Sequence, residues 1–121
     1  MGNMKIQKQA LLVTALVFVS ISAIAADRKV KCQIDSHGEP SYKGTCLFLP
    51  DTNGSFSLEN LTKGKPLTGT VSMISVTIIE KGVAEVRGLT TDGINSRWGE
   101  AKRSSKDQAC WEGEDFKMCA W

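Results

Sequence analysis

Histidine is almost missing from this 121-residue chain, His37 being the only one. A single histidine removes every metal site built on a histidine pair and leaves one candidate base titrating near neutral pH. It stands in Asp35-Ser36-His37-Gly38-Glu39-Pro40, a stretch of turn formers, where polar residues collect without any catalytic reason. No Gly-x-Ser-x-Gly is present, and the serines at 55, 57, 72, 75, 96, 104 and 105 have no candidate base beside them. Nor is there a Cys-x-x-Cys unit, so the four cysteines do not have the spacing of a zinc site. Internal repeats, low-complexity tracts and long amphipathic helical patterns are absent as well, which excludes solenoids and helical bundles. No enzyme signature, metal or cofactor is expected from what remains.

The one long apolar stretch is at the amino end. Lys5 and Lys8 precede the run from Ala10 to Ile24, and Ala23-Ile24-Ala25 places small residues where a signal peptidase reads them. The run falls short of the roughly 20 residues that span a bilayer, so a cleaved leader is expected rather than an anchor. Cleavage belongs after Ala25 or Ala26. No cysteine follows at once, as a lipoprotein would need, the nearest being Cys32, and Ile6 stands where a myristoylation signal places Ser or Thr. The expected organisation is a signal peptide over residues 1–25 and a single domain over 26–121, periplasmic or secreted. The formal charge of +2 comes from Lys5 and Lys8. Residues 26–121 are therefore formally neutral, which removes the support for a general nucleic-acid or anionic-membrane role.

Cys32, Cys46, Cys110 and Cys119 all lie in that domain, an even number in a short exported chain, which reads as two disulfides. Sequence permits three pairings. Each local pair flanks a plausible hairpin turn, so Cys32 with Cys46 and Cys110 with Cys119 are expected.

Alternating apolar and polar residues mark strands at Val30–Ile34, Ser41–Leu49 and Ser55–Leu58. Leu61-Thr62-Lys63-Gly64-Lys65-Pro66 is linker-like. Thr70–Ile79, rich in Val, Ile and Thr, pairs with Val83–Leu89 through Glu80-Lys81-Gly82. Asp92-Gly93 turns the chain into a short strand over Ile94–Trp98. From Gly99 to Gln108 apolar residues almost vanish, and either a helical turn at Glu100–Arg103 or a mobile loop is expected. A last hairpin joins Ala109–Trp111 to Phe116–Trp121, with Trp111, Phe116 and Trp121 closing one end of the core. Seven or eight short strands with frequent turns give an all-β fold, a small antiparallel sandwich or barrel.

Two groups of residues are candidates for function. Arg97, Trp98, Lys102, Arg103 and Lys106 form a locally basic stretch that holds an aromatic, and Trp and Arg are enriched at protein-binding hot spots. The bland alternative puts Trp98 in the core and the charges on a solvated face. His37, or alternatively Glu112, Glu114 and Asp115, could serve a hydrolase, although carboxylates crowded on a turn are usually solvated. Asn53-Gly54-Ser55 and Asn60-Leu61-Thr62 match the glycosylation pattern, which has meaning only in a eukaryotic secretory pathway.

Cys32-x-Ile34, Tyr42-x-Gly44-x-Cys46-x-Phe48, Gly54-Ser55-Phe56 and the ending Cys110-Trp111 … Cys119-Ala120-Trp121 form a frame. This frame resembles that of a group of small secreted bacterial proteins with no established function. In size, compartment and disulfide use the chain is also similar to the periplasmic lysozyme inhibitors, which are small β-proteins. The inhibitory loop motif of those inhibitors has no counterpart in this sequence. The expectation is thus a non-enzymatic, inhibitor-like binding protein with a protein partner, a small envelope hydrolase or a structural envelope protein being the alternatives. Amino-terminal sequencing of the exported protein should begin at Ala26 or Asp27; a start at Met1 would show that the leader is retained.

Overall fold

In the computed structural model, which describes residues 26–36 and 38–121, the chain is an all-β closed barrel. Its strands are β1 (Arg28–Ser36), β2 (Glu39–Pro50), β3 (Phe56–Glu59), β4 (Val71–Glu80), β5 (Val83–Thr90), β6 (Asn95–Arg103), β7 (Cys110–Glu112) and β8 (Phe116–Ala120). Each strand pairs antiparallel with the next, and β8 returns to β1 over Cys32↔Ala120 to Ser36↔Phe116. Closure decides between the two architectures that periodicity left open: a barrel, not a sandwich. The leader and His37 lie outside the described residues.

Alternation along the strands sets the inward face. Val30, Cys32 and Ile34 on β1, Phe56 and Leu58 on β3, Ile74 and Val76 on β4, and Ala84 and Val86 on β5 are all buried. An eight-stranded barrel has an interior just wide enough for side chains to fill. Trp111 and Met118, opposite one another on β7 and β8, supply much of the filling, at 2% and 0% exposure.

Both expected disulfides are present, and no thiol is free among the described residues. Cys32 and Cys46 lie inside the core, with Cα atoms 5.9 Å apart. They are not directly opposite, because the register sets Cys32 against Gly44 and Val30 against Cys46; the bridge joins diagonal positions. Closing this loop contributes about 3 kcal/mol in the chain-entropy account. Cys110 and Cys119 are direct partners, Cα to Cα 4.0 Å, and are buried but outside the core cluster.

The β4–β5 hairpin forms as expected, with Gly82 at φ +75°, yet the connection is shorter by one residue. Glu80 pairs with Val83, and the register shift between Ile78 and Glu80 leaves Ile79 exposed. The Leu61–Pro66 segment is exposed and outside any strand, in keeping with its linker-like composition, and leads into a plug: Leu67 is 3% exposed, Thr68 is buried, and the Thr68 hydroxyl donates to the Pro40 carbonyl. One expectation needs correction. Glu100–Arg103 is neither a helical turn nor a loop, but the end of β6, paired through Ala84↔Ala101 and Val83↔Lys102. Only Ala101 of that segment is buried, so the strand shows almost no apolar pattern.

β6 also carries a bulge. Val86 opposes Gly99 and Arg87 opposes Arg97, with Trp98 between them, and Gly99 takes φ +119°, which a side chain would resist. Trp98 turns inward over Gly88, where a Cβ would stand 2.7 Å from the indole nitrogen. Gly88→Ala should therefore destabilise the barrel by about 1–3 kcal/mol through overpacking. Urea unfolding measures the loss, and the emission of Trp98 should shift with it; unchanged stability would place the indole elsewhere.

Candidate functional site

With the interior filled, contact with other molecules falls to the rims and the outer wall. The basic residues of β6 divide among three places. Arg97 lies on the outer face, where Arg87 opposes it, and Glu85 Oε1 accepts from Arg97 Nε and Arg87 Nη2, both at 3.0 Å. That carboxylate neutralises a cross-strand pair of like charges that would otherwise repel. Trp98 is partly buried against the core, its ring 5.7 Å from that of Phe116 and tilted by 60°. Lys102, Arg103 and Lys106 come together around a cavity of about 410 Å³ that Ser104, Ser105, Glu112 and Gly113 also line. Glu112 faces Lys102 across the ladder and has its ion pair with Lys117, at 3.9 Å. Glu112, Glu114 and Asp115 are all exposed around the turn, not gathered across a cleft.

The backbone beside these residues is open. β5 covers one edge of β6 from Asn95 to Lys102, but β7 is three residues long and meets the other edge only at Lys102↔Glu112 and Arg103↔Trp111. Asn95–Arg97 and Gly99–Ala101 consequently have ladder partners on one side alone, and the bulged Trp98 has none. The Trp98–Phe116 contact spans the inside of this opening.

The connection after β6 is an ordered turn. Ser104 Oγ accepts from the amides of Lys106 and Asp107, and the Ser104 amide donates to the Cys110 carbonyl. Asp107 ties the turn to the carboxyl end: its Oδ1 accepts from the Ala109 amide at 3.0 Å and its Oδ2 from the Trp121 indole at 2.9 Å. Trp121 is thus 50% exposed on the outside of the barrel; contrary to the expectation from its position, it does not close the core with Trp111 and Phe116.

Sequence patterns did not disclose the second set of aromatic and basic residues. At the end of the barrel away from the Leu67 plug, Arg28 lies over the Phe48 ring at 4.4 Å, and Phe48 stacks on Phe56 at 4.8 Å. Arg103 lies over the Trp111 ring at 4.7 Å. Phe48 and Phe56 flank one turn and could have been paired from sequence; Arg28 joins them only through the β1–β2 register, Arg28↔Phe48.

No protein-family model, curated protein or solved structure matches this chain.

The amide of Ala109 and then the indole of Trp121 hold the Asp107 carboxyl below its ordinary value of 3.8; Lys117 adds to this and partial burial works against it. A lowered pKa means that the contribution of this contact to stability is complete above the ordinary value and is lost as pH falls through the lowered one. The indole N–H resonance of Trp121 should accordingly titrate in acid with its midpoint below 3.8. In Asp107→Asn that acid step should vanish.

Proposed function

We propose that the protein is an exported, non-enzymatic binding protein of the bacterial envelope, and that it recognises or inhibits a protein partner through β6. The observation that carries this reading is the free edge over Asn95–Ala101, continuous with the cations Lys102, Arg103 and Lys106. An extended segment of a partner could add to that edge through main-chain hydrogen bonds, while the cations favour acidic side chains on it. The bulge at Gly99 and the charges of Arg97 and Glu100 limit indiscriminate pairing between copies, as charged and bulged edges do. Export rests on the leader, and two disulfides fit an oxidising compartment. No observation favours the hydrolase alternative: the carboxylates of the last turn are solvent-exposed, and His37 lies outside the described residues.

A photocrosslinking residue at position 100, on the edge, should capture a discrete partner in the periplasm that the same residue at position 77, on the outer face of β4, does not. Lys102→Glu combined with Lys106→Glu should weaken that capture by about tenfold at low salt, since rim charges act mainly on encounter. Equal capture at both positions, or none at position 100, would remove the β6 interface.

A further inference from the structure

The mouth opposite the plug has features that the β6 edge does not account for. It is a cavity of about 160 Å³ whose lining includes Arg28, Phe48, Phe56, Arg103 and Trp111 and, among the described residues, no carboxylate side chain. Ion pairs among the described residues join Glu85 to Arg87 and Arg97, and Glu112 to Lys117. Among the described residues the guanidinium groups of Arg28 and Arg103 have neither an ion pair nor a hydrogen bond, and each lies on an aromatic ring. Stacking holds a guanidinium through its face and leaves its N–H donors, which lie in its plane, free for an acceptor. Such a pair of unsatisfied planar donors, with an aromatic wall beside them, suits a planar acceptor carried on an apolar body.

We propose that this mouth binds a compact organic carboxylate, the carboxylate taken by Arg28 and Arg103 and its apolar body lying against the half-buried Phe48. Carboxylate matches guanidinium in planarity and accepts two parallel N–H bonds. A bare phosphate would meet the same two cations but gain nothing from the rings. The size of the cavity admits a group about as large as a benzoate or a single aromatic residue at a chain end. The two sources share one chemistry, a free small acid or the terminal carboxylate of a peptide. The site is distinct from the β6 edge, with only Arg103 common to both, so Arg28 tests it separately.

Nitrogen-15 spectra of the purified disulfide-bonded protein, followed at the side-chain Nε–H of Arg28 and Arg103 and the indole of Trp111, provide the test. Sodium benzoate should shift these resonances saturably, and neutral benzamide should bind at least about tenfold more weakly. N-acetylphenylalanine against its amide shows whether the end of a chain enters as well as a free acid. Arg28→Gln should weaken benzoate by about tenfold, Arg28→Lys by less, and neither should alter capture at position 100. Equal shifts with benzoate and benzamide would make the mouth a merely apolar recess. Inorganic phosphate matching benzoate would make it an unselective cationic patch, and undiminished benzoate binding in Arg28→Gln would exclude it. Each of these three outcomes overturns the proposal.

Discussion

A closed barrel of eight strands has an interior that its own side chains must fill, and most of the molecule follows from that requirement. Tryptophan and methionine on β7 and β8 can enter because β5 and β6 offer Ala84, Gly88 and Ala101 to the same interior. Trp98 has room only because Gly88 has no side chain. Among the described residues the centre is filled in this way by side chains, and the cavities described above lie at the wall and the rims. Of the two rims, one is plugged by Leu67 and Thr68, and the other presents stacked arginines.

The disulfides answer two different weaknesses of such a small barrel. Cys32–Cys46 is part of the core and adds to a hydrophobic interior that a domain of this size builds only barely. Cys110–Cys119 sits outside the core cluster on the shortest strand. β7 has three residues and a two-pair ladder to β6, too little to hold the wall closed by backbone hydrogen bonds alone. A covalent link from β7 to β8 anchors that seam from its better-paired side, where β8 in turn is held by five pairs to β1.

Charge is distributed with similar economy. Among the described residues Glu85 serves two arginines at once and Glu112 takes Lys117, whereas wall carboxylates such as Glu59, Glu80 and Glu100 form no ion pair. Among the described residues Arg28, Lys102, Arg103 and Lys106 form no ion pairs, and they gather along the end of β6 and the open mouth, with Glu112 beside Lys102. Net charge is a sum over the chain and is blind to this, because neutralisation depends on which carboxylate stands within a few ångströms of which cation.

Much of the fold was legible because it rests on local physics. Alternation exposed most of the strands, Val and Ile enrichment marked β4, and the spacing of the cysteines around hairpin turns implied the pairing that is present. The frame Tyr42-x-Gly44-x-Cys46-x-Phe48 has period two because it follows the inner face of β2. What sequence could not show was everything that depends on register and closure. β6 runs on to Arg103 because β5 offers it a partner, although its own residues are almost all polar. Trp121 ends outside because the Asp107 carboxylate is there to receive its indole, and Arg28 meets Phe48 across a ladder whose offset no single strand encodes. Local patterns determined the strands and the staples; the closed tertiary structure decided which side chains stand together, since that depends on distances between residues far apart in the chain.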